Sequence, residues 1–175
     1  MAKILIVYST VDGHTLTISK RLAESLRAYG NQVSLTAVDA LPVAALKDCD
    51  KVITGASIRY GNYRPGLMSF VQQQSGLLNS KPSAFFSVNL VARKPGRDTP
   101  ETNPYVKKLL RHTRWQPPET AVFAGKLEYR HYRFLERCTI RFIMLLTGGP
   151  TAVDAIQDFT DWQKVEAFAT RIHSL

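Results

Sequence analysis

Cysteine is scarce: Cys49 and Cys138 are the only two, far apart and without a CxxC pair. A reducing compartment is the simpler reading. No apolar run approaches the ~18 residues of a membrane span. At the start a single Lys3 precedes only five apolar residues, with no small-residue cleavage pattern, so a signal peptide is not expected. The cytoplasm, or its face of a membrane, is the expected location. Neither GxxxxGK[ST] nor GxGxxG occurs, which argues against a P-loop nucleotide site and a dinucleotide Rossmann site. Repeats and low-complexity tracts are also missing. Acidic residues are few, 14 against 23 Lys and Arg, for a net charge of +9. None lies between Asp50 and Asp98, a window holding Lys51, Arg59, Arg64, Lys81, Arg93, Lys94 and Arg97. Such a balance points to nucleic acid, an anionic membrane surface or an acidic ligand without choosing among them.

What is present reads as one α/β domain over residues 1–175, long enough to bury a single core. "KILIVY" (3–8), "QVSLTAV" (32–38), "KVITGA" (51–56), "PSAFFSV" (82–88) and "TAVFAG" (120–125) are β-branched or aromatic-rich and bounded by turn residues, the pattern of strands. Leu16, Ile18, Leu22, Leu26 and Tyr29 recur at roughly helical spacing before a Gly30 stop, and 66–78, 104–114 and 161–175 are expected to be helical. Strands alternating with helices predict a doubly wound, five-stranded parallel sheet covered on both faces. Ligands of such sheets sit outside the carboxyl ends of the strands. That makes the loops 9–15, 57–63 and 87–97 candidates for one site.

The first loop, in "YSTVDGHT" (8–15), ends an apolar strand in small hydroxyls and a glycine, with no lysine. Successive amides and the Ser9, Thr10 and Thr15 hydroxyls would converge before a helix N-terminus, a nest for phosphate that needs no cationic side chain. Gly13 would permit close backbone approach. The alternative is a helix simply capped by Thr15, with no ligand. A phosphate monoester held this way is the pattern of the flavin mononucleotide (FMN) loop of flavodoxins, which Ser9/Thr10-x-x-Gly13-x-Thr15 resembles. His14 stands where flavodoxins often carry asparagine. Tyr60 and Tyr63 offer flat faces for a flavin ring, and "SVNLV" (87–91) offers backbone groups to its polar edge. Expected cofactor residues are therefore Ser9, Thr10, Asp12, Gly13, His14, Thr15, Ser57, Ile58, Arg59, Tyr60, Gly61, Ser87, Val88, Asn89 and Leu90; no metal is expected. Flavodoxins that carry low-potential electrons usually surround the ring with carboxylates. The basic window here predicts the opposite, a more oxidising flavin with an anionic partner.

The segment 126–150 is expected to be a long basic, amphipathic insertion after the last strand. Arg130, Arg133, Arg137 and Arg141 share one arc of a helical wheel, with Leu135, Phe142 and Leu146 opposite. Its apolar part reaches only about 18 Å against a ~30 Å hydrocarbon core, so it does not span a bilayer. Residues 130–147 suit an anionic membrane surface, or a helix docked on the domain itself, ended by Gly148, Gly149 and Pro150. Nucleic acid is not expected, since no binding fold for it accompanies the arginines.

Together, "YSTVDGHT", "GASIRYGNY", "PSAFFSVNLVARKP", the arginine-rich insertion and "TDWQKVEAFA" closely resemble the flavodoxin-like, quinone-dependent protoporphyrinogen oxidases of bacteria. The resemblance covers essentially the whole chain. It implies FMN, oxidation of protoporphyrinogen IX to protoporphyrin IX in haem biosynthesis by repeated two-electron steps, menaquinone or ubiquinone as acceptor, and peripheral association with the cytoplasmic face of the inner membrane. Arg59, Arg93 and Lys94 are the candidates for propionate or flavin contact. No general base stands out among His14, His112, His131 and His173. Two rivals share the fold: an NAD(P)H:quinone oxidoreductase, and a membrane-docked electron shuttle with no enzymatic activity. A response-regulator receiver domain is disfavoured, because Ser9 and Thr10 stand where its acidic pair belongs.

Overall fold

In the computed structural model, residues 1–128 and 156–175 are described, with residues 138, 140, 142, 144 and 145 between them. Five strands form one parallel sheet in the order β2-β1-β3-β4-β5: β1 (Lys3–Ser9), β2 (Gln32–Ala37), β3 (Lys51–Ser57), β4 (Ser83–Val88) and β5 (Glu119–Phe123). Every expected strand forms, each end within two residues of its expected bound. β1 lies inside the sheet, so its side chains are buried on both faces and the run Ile4–Val7 is uninterrupted.

The period of two divides that run. Ile4 and Ile6 point with Phe86 and Phe123 to one face, under α1 (His14–Ala28) and the final helix α6 (Trp162–Ser174). Leu5 and Val7 point with Phe85 to the other, under α2 (Val43–Asp48), α3 (Pro65–Gln73), α4 (Ser75–Asn79) and α5 (Pro104–His112). The helix expected over 66–78 is two, broken at Gln74. α2 lies outside the expected helices, being too short at 6 residues for a periodic pattern.

Beyond β5 a two-stranded antiparallel ribbon leaves the sheet, β6 (Lys126–Glu128) with β7 (Ile156–Asp158). Most of the expected amphipathic segment 130–147, its four arginines included, lies outside the described residues, as does the Gly148–Pro150 stop. Of its described residues, Met144 is buried with Leu127 against Leu90, Ile140 and Phe159, whereas Phe142 and Leu145 are 62% and 69% exposed. Among the described residues no helix is long and apolar enough to cross a membrane.

The chain winds from β1 outward to β2, then returns past β1 to β3. The strand order therefore reverses between β1 and β3, and their carboxyl ends open the crevice where such sheets bind ligands. Lys51 opens β3 and Lys81 precedes β4, both at the amino ends of the strands, opposite the crevice. Their ammonium groups bond carbonyls of Ile172 and His173, and of Leu46, Lys47 and Cys49. Topology removes these two from the site.

Candidate functional site

The turn after β1 is built on Gly13, which takes φ +84° as N-cap of α1, a conformation that costs a side-chain-bearing residue. The Thr10 hydroxyl accepts the Gly13 amide at 3.0 Å and closes the turn. The Thr17 amide makes the helix's first bond, to Gly13 O, so the amides of His14, Thr15 and Leu16 have no intrahelical acceptor. No side chain caps the helix. Thr15, weighed above as a cap, lies in the first turn with its hydroxyl fully buried and partnerless. Ser9 Oγ and Ser57 Oγ, at the ends of β1 and β3, are partnerless and buried as well. Buried hydroxyls normally find partners. Thr15 Oγ1 and the unspent amides of the first turn, with Ser9 Oγ at the end of the strand that leads into it, form a donor set for a phosphoester; Thr54 in mid-strand is partnerless too. The residues present therefore fit the phosphate end of a flavin nucleotide.

The second loop is a tight hairpin. Arg59 and Asn62 exchange both backbone bonds, at 2.9 and 3.1 Å, around Tyr60 (φ +51°) and Gly61 (φ +73°). Positive φ at both centre positions is the type I′ turn, and a tyrosine held there is an uncommon, costly placement. It leaves Tyr60 73% exposed at the tip, with the Arg59 guanidinium 5.4 Å from its ring. Both Asp12 carboxylate oxygens bind Arg59 Nη1, at 2.7 and 3.0 Å, joining this hairpin to the first loop. Asp12 and Arg59, both expected at the cofactor, are thus joined to each other as a pair. Arg64 braces the same corner, reaching Thr10 O at 3.4 Å and Asp39 at 3.2 Å.

Tyr63, expected as a second stacking face, is core instead. It is 9% exposed, edge-on to Phe85, and its hydroxyl donates to Ser87 Oγ at 2.8 Å. Burial pushes its phenol above the ordinary range. The same Ser87 oxygen accepts from Asn89 Nδ2 at 3.0 Å, while Asn89 Oδ1 accepts from the Ala92 amide and from Asn103 Nδ2, at 3.1 and 3.2 Å. Asn103 also caps α5, accepting the Tyr105 and Val106 amides. This buried relay sets the shape of the third loop, a 3₁₀ turn at Leu90–Arg93. Ser87, Val88 and Asn89 are all buried, so their side chains shape that loop from beneath. Ile58 is half-buried against the α3–α5 face, and Leu90 against Leu127 and Met144. Lys94 is exposed at the turn's end, whereas Arg93 Nη2 donates to Met144 Sδ at 3.2 Å.

His14 Nε2 lies 2.7 Å from Thr160 Oγ1 and 3.6 Å from Asp158, its ring edge-on to Trp162. Burial holds its pKa below 6.5; Asp158 pulls it back up and Lys126 pushes it down. His112 and His173 likewise spend a ring nitrogen inside the protein, on Lys108 O and on Asn31. Sequence reasoning missed three residues that organise the site: Arg64, Asn103 and Thr160. Asn103 carried a readable signal, a capping residue directly before Pro104. Thr160 carried none, being 146 positions from its partner His14.

A parallel sheet of this order, with an uncapped helix N-terminus at its reversal point and an aromatic hairpin beside it, defines a flavodoxin-like domain. The chain belongs to the Flavodoxin domain family, whose profile matches residues 5–154. It is 43% identical over 173 residues to Protoporphyrinogen IX dehydrogenase [quinone] of Escherichia coli (strain K12), covering 99% of this chain and 96% of that protein. It is also 43% identical to the protein of that name in Leishmania major, over 99% of this chain and 75% of the relative. Among solved structures, a Streptococcus pneumoniae flavodoxin superposes with TM-score 0.58 at 16% identity, covering 99% of each chain, which bears on the fold alone.

Proposed function

We propose that the protein is an FMN-dependent protoporphyrinogen IX oxidase that passes its electrons to a quinone. The observation that carries this reading is the likeness, along nearly the full length, to proteins named for that reaction. The loop chemistry supports the cofactor assignment. FMN, when bound, supplies two-electron redox chemistry; the chain supplies grip, orientation and field. Its phosphate is held by the Gly13–Thr15 turn and the Ser9, Thr10 and Thr15 hydroxyls. Tyr60 presents its exposed face from a turn too tight to fold away. The Tyr63–Ser87–Asn89–Asn103 relay holds the third loop in place from beneath. Lys94 and Arg93 are the cations for the propionates of the macrocycle. Arg59 instead serves as a clamp through Asp12.

Phe142, Leu145 and Ile156, at 62%, 69% and 56% exposed, are large apolar side chains open to solvent on or beside the insertion. They support docking on the cytoplasmic face of the inner membrane, where menaquinone or ubiquinone is dissolved.

The test is an anaerobic assay of porphyrin fluorescence from protoporphyrinogen IX, with and without a quinone acceptor. Quinone-dependent fluorescence is expected, with no bleaching of the flavin by NAD(P)H. Bleaching by NAD(P)H without porphyrinogen turnover would assign the protein to the quinone reductases. A stabilised semiquinone with neither activity would make it a shuttle.

A further inference from the structure

The two residues after the ribbon touch both ends of the site. The Thr160 hydroxyl donates to Ala124 O at 3.0 Å. Its single hydrogen is spent there, so at 2.7 Å from His14 Nε2 it accepts. This puts a proton of His14 on Nε2. The Thr160 amide in turn donates to Asp158 at 2.9 Å. One residue earlier, the Phe159 amide donates to Gly125 O at 3.3 Å, closing the base of the β6–β7 ribbon. The Phe159 ring lies 5.9 Å from the Arg93 guanidinium and packs on the Leu127–Met144 cluster, as Leu90 also does. Thr160 thus seizes the first loop at His14, and Phe159 meets the third at Arg93 and shares the Leu127–Met144 cluster with Leu90.

We propose that Phe159–Thr160 is a joint that couples occupancy of the phosphate loop to closure of the ribbon, with His14 and Thr160 as positioning residues. The inference rests on the flavin reading and deepens it. A bound phosphoester fixes Gly13–Thr15, and with them the His14 ring. That ring holds the Thr160 hydroxyl on Ala124, and the ribbon base stays shut. By linkage, anything that closes the ribbon tightens the loop's hold on the phosphate by the same factor.

Hydrogen exchange and flavin fluorescence quenching test this together. In the wild type, FMN should slow exchange of the Phe159 amide beyond any slowing in edge strand β2, which reports general stabilisation. Thr160→Val, which keeps the shape and loses the hydroxyl, should abolish that extra protection and weaken FMN binding about fivefold, the worth of one hydrogen bond. Thr160→Ser should restore both. Equal protection of the ribbon with and without FMN in the wild type overturns the joint while leaving the flavin reading intact. So does an unchanged FMN affinity in Thr160→Val. Failure of the wild type to quench FMN at all overturns the flavin reading, and the joint with it.

Discussion

Replacing Thr15 by valine should move stability and cofactor affinity in opposite directions. The Thr15 hydroxyl is fully buried in the first turn of α1 and has no partner. A buried hydroxyl without a partner costs roughly 1–3 kcal/mol in proteins. Valine has nearly the same shape and lacks that oxygen, so the protein without flavin should gain about 1 kcal/mol, discounted for β-branched crowding that threonine already shares. With the phosphate bound, the hydroxyl becomes a donor to a charged acceptor, worth about 1.5–3 kcal/mol. Its loss should weaken FMN binding roughly 10- to 150-fold. Urea denaturation of the flavin-free protein gives the first quantity, through a raised midpoint at unchanged slope. Titration of flavin fluorescence gives the second. A destabilised variant that binds FMN as tightly as the wild type would refute the idea that this hydroxyl is held for the phosphate.

Three further outcomes are expected. The Asp12–Arg59 pair is partly exposed, 35% and 20%, and doubly hydrogen-bonded, so a cycle of Asp12→Ala, Arg59→Ala and the double variant should give a coupling of about 0.5–1 kcal/mol at low salt. That coupling should fade at high salt, and zero coupling at low salt would remove the clamp. His14 has its folded pKa depressed below 6.5, chiefly by burial, so the unfolded chain takes up its proton first as pH falls. The stability due to neutral His14 is present above pH 6.5 and lost on acidification below it; His14→Gln should flatten that limb between pH 7.5 and 5, measured by denaturation. A charge reversal about 10 Å from a flavin ring has a ceiling of roughly 3 kcal/mol at an effective dielectric near 20, and screening at exposed Lys94 leaves less. Lys94→Glu should therefore lower the flavin midpoint by tens of millivolts in a potentiometric titration, and an unmoved midpoint would exclude a role for this cation.

Periodicity and punctuation carried most of the architecture. The run Ile4–Val7, the alternation behind Phe85 and Phe86, and the glycine and hydroxyls of residues 9–15 are local patterns, and local patterns are what a strand, a helix start or an anion turn requires. The five strands, the doubly wound class and the glycine turn after β1 follow from them by themselves. What the basic side chains do was decided only by tertiary structure. Lys51 and Lys81 lie at the amino ends of the strands, away from the crevice, Arg59 closes on Asp12, and Arg64 braces Thr10. The two tyrosines of this loop part company: Tyr60 sits at the hairpin tip in solvent, while Tyr63, just past the turn, enters the core against Phe85 and Ser87. His14 finds Thr160 only once the last helix has packed beside the first. A charge or a ring can be read along the chain; its partner, which sets its field and its freedom, comes from segments that only folding brings near.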